Sequence, residues 1–340
     1  MKSQIKSLRI WLIVDSKDIG GIESHILQLA KGLTLHHQHV SVVFLCRYHK
    51  THPLTHLLNH AKIDYHFLSG SIRSLLQLTL QHRPSVIHSH GYKAAIYCRL
   101  IRLILFCTQC NIRFINTFHA GEIPTGKVKL YDAIDRWSAC LNHTNFAVSD
   151  DIKQRIPFKT NIINNFINTD HLPLSHGKQI AFVGRLSHEK APERFVELAL
   201  CLPQFNFHIY GDGPLAFTLR QRAPLNLKFH GQKQSMDNIW SHIGLLVICS
   251  RYEGLPMVAL EAMGHGIPVI ATAVGNIHQL IKHNINGWII EPQSLAAAVL
   301  HWSQLQKSQR DKIQKMAQNT IIQSYSSRAV IPELLTAYSH

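Results

Sequence analysis

Several features that mark other protein classes are missing from this 340-residue chain. The apolar run after the basic segment Met1–Arg9 covers only Ile10–Val14, which is too short for a signal peptide or a membrane span. The seven cysteines are scattered without framework spacing, which predicts a protein of the reducing cytoplasm. No low-complexity tract or short-period repeat is present. With 46% hydrophobic residues, the chain is expected to be globular and large enough for two domains.

Acidic residues are also scarce, since 20 Asp and Glu stand against 35 Lys and Arg, for a net charge of +15. Residues 1–170 carry most of the excess (20 − 10 = +10), and residues 171–340 carry less (15 − 10 = +5). Such a surface attracts nucleic acid, anionic lipid or an acidic saccharide. Nucleic acid is disfavoured, because the sequence has neither zinc-finger spacing nor a basic motif interleaved with aromatic residues. An acidic partner, or the inner face of an anionic membrane, remains the hypothesis.

Motifs for metal and nucleophile chemistry are absent as well. The sequence has no Asp-x-Asp, no G-x-S-x-G and no Walker motif. His88, His90 and His119 lack a supporting cysteine or carboxylate spacing, and Cys107 and Cys110 lack a second pair. We therefore expect no metal site and no cofactor.

Apolar runs alternate with helix-length segments, which is typical of parallel sheets wrapped by helices. The first series of predicted strands is Ser7–Val14, Val40–Cys46, Ser85–His88, Ile112–Asn116 and Thr144–Val148. The second series is Gln179–Gly184, Phe205–Tyr210, Leu227–His230, Leu245–Cys249, Pro268–Ala271 and Trp288–Ile290. The pattern predicts an α/β protein of two doubly wound, Rossmann-like domains, with ligands at the carboxyl ends of the strands in a cleft between the domains.

The predicted boundaries follow from this pattern and from turn chemistry. We expect a first domain over residues 1–170, a linker over 171–178, a second domain over 179–327 and a closing helix over 328–340. The apolar segment Ala94–Cys110 is expected to be a helix packed against the first sheet. Contact with a membrane surface is the alternative for this segment.

The segment Glu253–Ala262 places two carboxylates eight positions apart across the start of a predicted helix. Pro256 suits the first helical position, so the helix is expected to begin near Leu255. The free N–H groups at its start favour an anion such as a diphosphate. Glu253 and Glu261 could then accept hydrogen bonds from hydroxyls on either side of it, which indicates a sugar nucleotide. The alternative is a capped surface helix with two solvated acids.

Two cations and three glycine loops accompany this segment. Arg185 ends a predicted strand, and Lys190 precedes a helix opened by proline, so both could neutralise charge on a departing nucleoside diphosphate. Unless the Glu253 segment lies beside them, they are better explained as surface residues. Gly211-Asp212-Gly213 partly matches a dinucleotide fingerprint, but the following proline favours a tight turn beside a nucleotide. Gly20-Gly21 offers a similar turn after the first strand, and Thr117–Gly121, at the end of a later strand, is expected to line the same edge of the cleft.

Taken together, these residues resemble the retaining glycosyltransferase family four, whose members have the GT-B fold. The likeness covers nearly the whole chain and keeps the family's order. Its motifs are Gly20-Gly21, His88–Gly91, Thr117–His119, Ala147–Ser149, Asn164–Asn168, Val183–Arg185 with Lys190, Gly211–Pro214, Glu253–Glu261 and Asn286-Gly287.

The resemblance implies a role for each matched residue. Arg185 and Lys190 would hold the diphosphate, Glu253 the donor-sugar hydroxyls, and Glu261 the ribose. His119 would lie beside the transferred sugar, Gly20-Gly21 would approach the phosphates, and a final helix over Arg328–Ser339 would return to the first domain. The expected catalytic residues are Glu253, His119, Arg185 and Lys190, and the expected substrate-binding residues are Gly20, Gly21, His90, Gly211, Gly213, Gly254, Leu255 and Glu261.

Two departures from the family pattern concern loops. Asn164-Asn165 stands where relatives often have Asn-Gly, and Gly275–Gln279 stands where they have Gly-Gly-x-x-Glu. The second change removes a carboxylate from the donor-side loop and bears on donor preference.

The expected function is metal-independent, retaining transfer from a UDP- or GDP-sugar to a saccharide or lipid-linked acceptor. The setting would be bacterial envelope polysaccharide or lipopolysaccharide synthesis. One rival is another GT-B enzyme, a sugar-nucleotide epimerase or a phosphorylase, which product analysis distinguishes. The other rival is a non-catalytic nucleotide-sugar or membrane-surface binding protein, which intact Glu253, Arg185 and Lys190 disfavour.

Overall fold

The computed structural model describes residues 7–18, 20–49, 51–106, 111–119, 127–170, 172–233 and 235–339, without the side chains of Lys127 and Val128. Ile19, Cys107, Cys110 and the Ala120-Gly121 end of one predicted loop therefore lie outside the described residues. The chain forms two compact units. The first contains the residues up to Asn168 and those from Ser327 onward, and the second is Thr169–Ser326.

The first unit is built on a seven-stranded parallel sheet. Its elements up to Asn168 are β1 (Arg9–Val14), α1 (Gly21–Leu35), β2 (His39–Phe44), α2 (Pro53–His60), β3 (Asp64–Phe67), α3 (Ile72–His82), β4 (Val86–His90), α4 (Tyr92–Leu105), β5 (Arg113–Phe118), α5 (Lys127–Trp137), β6 (Thr144–Ala147), α6 (Asp150–Gln154) and β7 (Asn161–Ile162). The strand order is β3-β2-β1-β4-β5-β6-β7, so the winding direction reverses between β1 and β4.

The second unit repeats the design with a six-stranded parallel sheet. Its elements are β8 (Gln179–Val183), α7 (Pro192–Cys201), β9 (Phe207–Tyr210), α8 (Ala216–Gln221), β10 (Leu227–Phe229), α9 (Asp237–Trp240), β11 (Ile243–Ile248), α10 (Met257–Gly264), β12 (Val269–Thr272), α11 (Ile277–Leu280), β13 (Gly287–Ile290), α12 (Leu295–Gln304) and α13 (Lys307–Ser324). The order β10-β9-β8-β11-β12-β13 reverses between β8 and β11.

The last helix, α14 (Ser327–Ser339), belongs to the first unit and packs against α1. It joins the core on one face of the sheet, to which Ile331 and the alternate β1 residues Ile10 and Leu12 all belong. Trp11 and Ile13 point to the opposite face and pack with the buried side of α4. A central parallel strand is covered on both faces, which explains why β1 is an unbroken apolar run.

The segment predicted as a linker has neither helix nor strand over the described residues 172–178. Ser175 donates a hydrogen bond from Oγ to the Ile243 carbonyl at 2.6 Å, so the segment is tied to the second unit. Within the described residues, every helix is too short or too polar to cross a bilayer.

Candidate functional site

The second unit brings two predicted segments together where its strand order reverses. The loop after β8 carries Arg185 and Lys190, and the loop after β11 carries Glu253. In doubly wound sheets the crevice outside the carboxyl ends of the strands at this point is where ligands bind. The two loops are joined by backbone hydrogen bonding, since the Arg251 N–H donates to the Glu189 carbonyl at 2.8 Å. The arrangement is therefore a single fixed site.

Glu253 and Lys190 form an ion pair in this crevice, with Nζ 2.5 Å from Oε1. The Ser250 hydroxyl donates to the same Oε1 at 2.7 Å. The Glu253 side chain is only 8% exposed, so these two partners fix its orientation. Its other oxygen, Oε2, accepts no hydrogen bond from the described residues and is left to accept one from a ligand hydroxyl.

Arg185, five residues before Lys190 in the same loop, has an exposed side chain. Within the described part of the chain, its guanidinium makes no hydrogen bond or ion pair with another side chain. Its charge acts on the Glu189 carboxylate. Burial alone would raise the pKa of Glu189, but the Ser187 hydrogen bond and the charges of Arg185 and Lys190 lower it below its ordinary value. Arg185 thus offers a cation without an ion-pair partner among the described residues, which suits a diphosphate.

The helix over the predicted carboxylate pair begins later than expected. α10 starts at Met257 and Pro256 is its N-cap, with φ −69° and ψ 123°, so the predicted start near Leu255 with Pro256 as first helical residue is wrong. The extended ψ places Pro256 outside the helix, and its carbonyl accepts the first bond, from the Ala259 N–H at 3.1 Å. Leu255 is buried in the turn, and Glu261 lies half-buried in the second turn of the helix.

Gly211 and Gly213 lie so close to the backbone of the loop after β8 that a side chain would not fit at either position. Their φ angles are 146° and 159°, and a Cβ would lie 1.9 Å from the Gly184 carbonyl oxygen and 2.6 Å from that of Leu186. The Leu186 N–H also donates to the Asp212 carbonyl at 2.9 Å. These glycines therefore hold the loop that carries Arg185, and contact with a nucleotide stays a prediction.

Gly275 supports Glu253 in the same way. At its φ of +51°, a Cβ would lie 2.0 Å from the Glu253 carbonyl oxygen. The next residue, Asn276, donates its N–H to the Gly254 carbonyl at 3.0 Å, so this loop fixes the backbone of Glu253 and Gly254.

We expect Gly275→Ala to lower the free energy of unfolding by about 1–3 kcal/mol, because the methyl group must displace backbone in a left-handed conformation. Urea unfolding measures this. Gly21→Ala is the matched control, since a Cβ there meets nothing within 4 Å and the residue opens helix α1. An equal loss in both variants would contradict the assigned role of Gly275.

The first unit gathers a cluster of histidines at the carboxyl ends of β4 and β5. His90 ends β4, His119 follows β5, and His90 Nδ1 lies 3.0 Å from His119 Nε2. His25 of α1 packs its ring against both, with centroids 5.5 Å from His90 and 4.8 Å from His119. His88 is bonded to Tyr338 and Thr117, at 2.7 Å each.

Burial lowers the pKa of these imidazoles, to about 4 for His25 and about 3 for His88, and well below the ordinary value for His90 and His119. They are therefore neutral at physiological pH and have lone pairs to offer. One ring nitrogen each from His25, His90 and His119 lie within 4.8 Å of one another, close enough to share a metal ion. No cysteine or carboxylate belongs to this group among the described residues.

Sequence reasoning singled out His88, His90 and His119 but missed His25. The available signal is its position, because His25 lies one turn into the helix that follows β1, next to the strand ends that carry the other histidines.

A pocket of about 190 Å³ opens beside His90 and His119. Its other polar lining includes Asp15, which pairs with Lys93 at 3.0 Å. The pocket can therefore hold a polar, hydroxyl-bearing molecule. Gly20 and Gly21 begin α1 nearby, and Glu23 accepts the Gly20 N–H at 2.7 Å. That N–H is thus already bonded, and its predicted approach to phosphates stays a prediction.

Two glycosyltransferase family models match this chain, one in each half. The family described as Glycosyltransferase Family 4 matches residues 19–171, and the family described as Glycosyl transferases group 1 matches residues 166–321. The O-antigen biosynthesis glycosyltransferase WbnH of Escherichia coli is 26% identical over 230 residues, 64% of this chain and 66% of that protein. The UDP-Gal:alpha-D-GlcNAc-diphosphoundecaprenol alpha-1,3-galactosyltransferase of Escherichia coli is 25% identical over 256 residues, 65% of this chain. The chain thus spans about 66% of the length of each of these relatives.

Solved structures share the architecture at low sequence identity. Anabaena HepE in complex with UDP-glucose matches with a TM-score of 0.84 and 18% identity, over 98% of this chain and 99% of that one. A mutant of S. aureus TarM in complex with fondaparinux, alpha-GlcNAc-glycerol and UDP matches with a TM-score of 0.80 and 14% identity, over 98% of this chain and 100% of that one. The predicted fold class, two Rossmann-like domains of the GT-B type, is confirmed.

Proposed function

Because this chain belongs to glycosyltransferase family four, we propose that it transfers a sugar from a nucleoside-diphosphate sugar to a saccharide acceptor of envelope polysaccharide synthesis. The observation that carries the proposal is the Lys190–Glu253 pair at the point where the strand order of the second sheet reverses. A carboxylate with one free oxygen and two cations in one crevice suits the hydroxyls of a sugar and the charge of a diphosphate.

Each side chain of the crevice has a role in the proposed reaction. Glu253 accepts a hydrogen bond from a donor-sugar hydroxyl through Oε2. Arg185 and Lys190 meet the negative charge that grows on the diphosphate oxygen as its bond to the anomeric carbon breaks. The attacking acceptor hydroxyl gives its proton to the departing diphosphate, so no side chain has to act as a covalent nucleophile.

Retention at the anomeric carbon is the stereochemical part of the proposal. The acceptor would attack from the face that the diphosphate leaves, through an oxocarbenium-like state. His119 keeps its predicted role as a contact of the transferred sugar, and Glu261 keeps its predicted role as a ribose ligand. A UDP-sugar is the favoured donor, since HepE is solved with UDP-glucose and a relative is described as using UDP-Gal.

The acceptor is proposed to be lipid-linked or acidic. The relative described as acting on alpha-D-GlcNAc-diphosphoundecaprenol supports a lipid-linked saccharide. The net charge of +10 in residues 1–170 (20 − 10) supports attraction to a diphosphate or to an anionic membrane.

The test is incubation with UDP- and GDP-sugars and a diphosphoundecaprenol-linked saccharide, followed by NMR of the product. Transfer with the anomeric configuration of the donor supports the proposal. An inverted product would refute retention, and a C2-epimerised donor without transfer would favour the epimerase. Binding without turnover would favour the non-catalytic rival.

Metal independence gives a separate prediction. We expect EDTA to leave the transfer rate unchanged, because the sequence has no Asp-x-Asp for a metal-bound diphosphate and Arg185 and Lys190 would supply the positive charge instead. Rates before and after chelation, with Mg²⁺, Mn²⁺ or Zn²⁺ added back, are the measurement. A loss that one of these ions restores would contradict the prediction, and loss of that rescue in His25→Ala would locate the ion at the histidine cluster.

A further inference from the structure

Helices α4 and α5 expose a set of large apolar side chains on the first unit. We call it the α4–α5 face, and it consists of Leu100, Leu103, Ile104, Phe106, Leu130, Tyr131, Ile134 and Trp137. Phe106 is 84% exposed and Trp137 is 69% exposed. Soluble proteins rarely leave so many large apolar residues exposed on two neighbouring helices, and such patches commonly mark interaction sites.

The spacing shows that the face does not belong to the core. In α4, Ala94, Cys98 and Ile101 are buried against the first sheet, whereas Leu103 and Ile104 point away from it. A helix that packs by one side on a sheet ordinarily carries polar residues on the other side. The predicted packing of the apolar segment Ala94–Cys110 on the first sheet is thus confirmed for its described part, whereas contact with a membrane surface stays a prediction.

The two helices are held together by a buried ion pair. Arg99 of α4 contacts the Asp135 carboxylate of α5 at 2.7 Å and donates to the Ser138 hydroxyl at 2.8 Å. The rings of Tyr92 and Tyr131 stack across the same contact, with centroids 5.8 Å apart. The α4–α5 face is thus a rigid platform, and its exposure does not depend on a local opening.

The charge of the two helices indicates the kind of partner. Together α4 and α5 contain six Lys and Arg against two Asp (6 − 2 = +4). Asp132 and Asp135 are already paired, with Arg136 and Arg99, whereas Lys129 is exposed and forms no ion pair among the described residues. Apolar side chains with an amphipathic tryptophan and a basic surround match the boundary between the headgroups and acyl chains of an anionic bilayer.

We propose that the α4–α5 face docks this protein on an anionic lipid bilayer, with Trp137, Phe106 and the exposed leucines of both helices in the headgroup–acyl boundary. The inference deepens the proposed function, because a lipid-linked acceptor lies in such a bilayer. Its test uses neither donor nor acceptor, so it can fail while the proposed transfer stands.

Intrinsic fluorescence reports on the face directly. The protein has five tryptophans, and Trp11, Trp240, Trp288 and Trp302 are each at most 8% exposed, which leaves Trp137 as the one that solvent reaches. With phosphatidylglycerol–phosphatidylethanolamine vesicles, we expect its emission to shift to shorter wavelength and to be quenched when the lipids carry brominated chains. Trp137→Phe should still bind but lose both signals. Emission unchanged by these vesicles would overturn the proposal.

Paired variants separate insertion from charge. We expect Leu103→Ser/Ile104→Ser to reduce co-sedimentation with these vesicles at least ~10-fold. Leu200→Ser/Phe217→Ser is the matched control, because both residues are exposed apolar side chains of the second unit, and it should bind like the wild type. Binding to neutral phosphatidylcholine should be weaker and should not respond to salt. Thermal unfolding verifies that the variants are folded.

A second copy of the chain is the competing occupant. Sedimentation velocity without lipid should show a species whose mass does not depend on α4–α5 substitutions. A dimer that Leu103→Ser/Ile104→Ser dissociates, together with equal vesicle binding by that variant and the wild type, would assign the face to self-association and overturn the proposal.

Discussion

Arg185→Ala and Lys190→Ala are each expected to lower kcat by roughly 10²-fold or more, equal to about 3 kcal/mol of lost transition-state stabilisation. In the proposed reaction both cations meet the charge that develops on the departing diphosphate, and their loop is held by backbone packing on Gly211 and Gly213. Steady-state kinetics with saturating donor measure the effect. Lys178→Ala is the matched control. This exposed cation precedes the amino end of β8, whereas Arg185 follows its carboxyl end.

The two variants should differ in stability. Lys190→Ala leaves the Glu253 carboxylate, 8% exposed, without its cation, and should lower the thermal midpoint, whereas Arg185→Ala removes an exposed charge and should leave it unchanged. Turnover at the wild-type rate in both variants would mean that the proposed diphosphate site is wrong.

Acidification from pH 6.5 to about 4 is expected to remove about 3 kcal/mol of unfolding free energy through His25 alone. Its folded pKa is lowered by burial to about 4, against 6.5 in the unfolded chain. Between these values the unfolded state binds more protons, so stability rises with pH and is lost as the pH falls. His88, with a folded pKa of about 3, adds to the same slope and extends it to lower pH.

Urea unfolding at a series of pH values measures this slope, and His25→Phe is the informative variant. A phenylalanine keeps a ring next to His90, His119 and Phe166 but cannot titrate, so the variant should lose stability less steeply below pH 6.5. The same slope in wild type and variant would show that His25 is not held neutral by the fold.

Much of the fold could be predicted because most strands of a parallel sheet are buried on both faces and are therefore apolar. All eleven predicted strands are present, with ends shifted by at most two residues. Two strands were not predicted. β3 (Asp64–Phe67) is short, polar and only partly buried, and β7 (Asn161–Ile162) has two residues, so neither leaves an apolar run to detect.

The candidate site was predictable because each of its two parts lies within one short segment after a strand. Arg185, Lys190 and Glu253 were predicted to meet in one crevice, and the ends of β8 and β11 bring Lys190 and Glu253 into contact. His25 joins the histidine cluster because α1 brings its ring against His90 and His119. That packing is a tertiary contact, which the local sequence around His25 does not encode. The start of α10 was misplaced because proline is compatible with both the N-cap and the first helical position, and only its ψ decides between them.

The central claim is a nucleoside-diphosphate site formed by Arg185, Lys190 and Glu253, and a thermal-shift titration with nucleosides, nucleoside diphosphates and their sugars tests it most directly. A ligand at 100 times its Kd stabilises the native state by about 2.7 kcal/mol. We predict that UDP or GDP and the matching sugar nucleotide raise the midpoint of the wild type, that the nucleoside alone does not, and that Arg185→Ala/Lys190→Ala abolishes the shift. A wild-type midpoint unmoved by every diphosphate, or a shift that survives in the double variant, would contradict the claim.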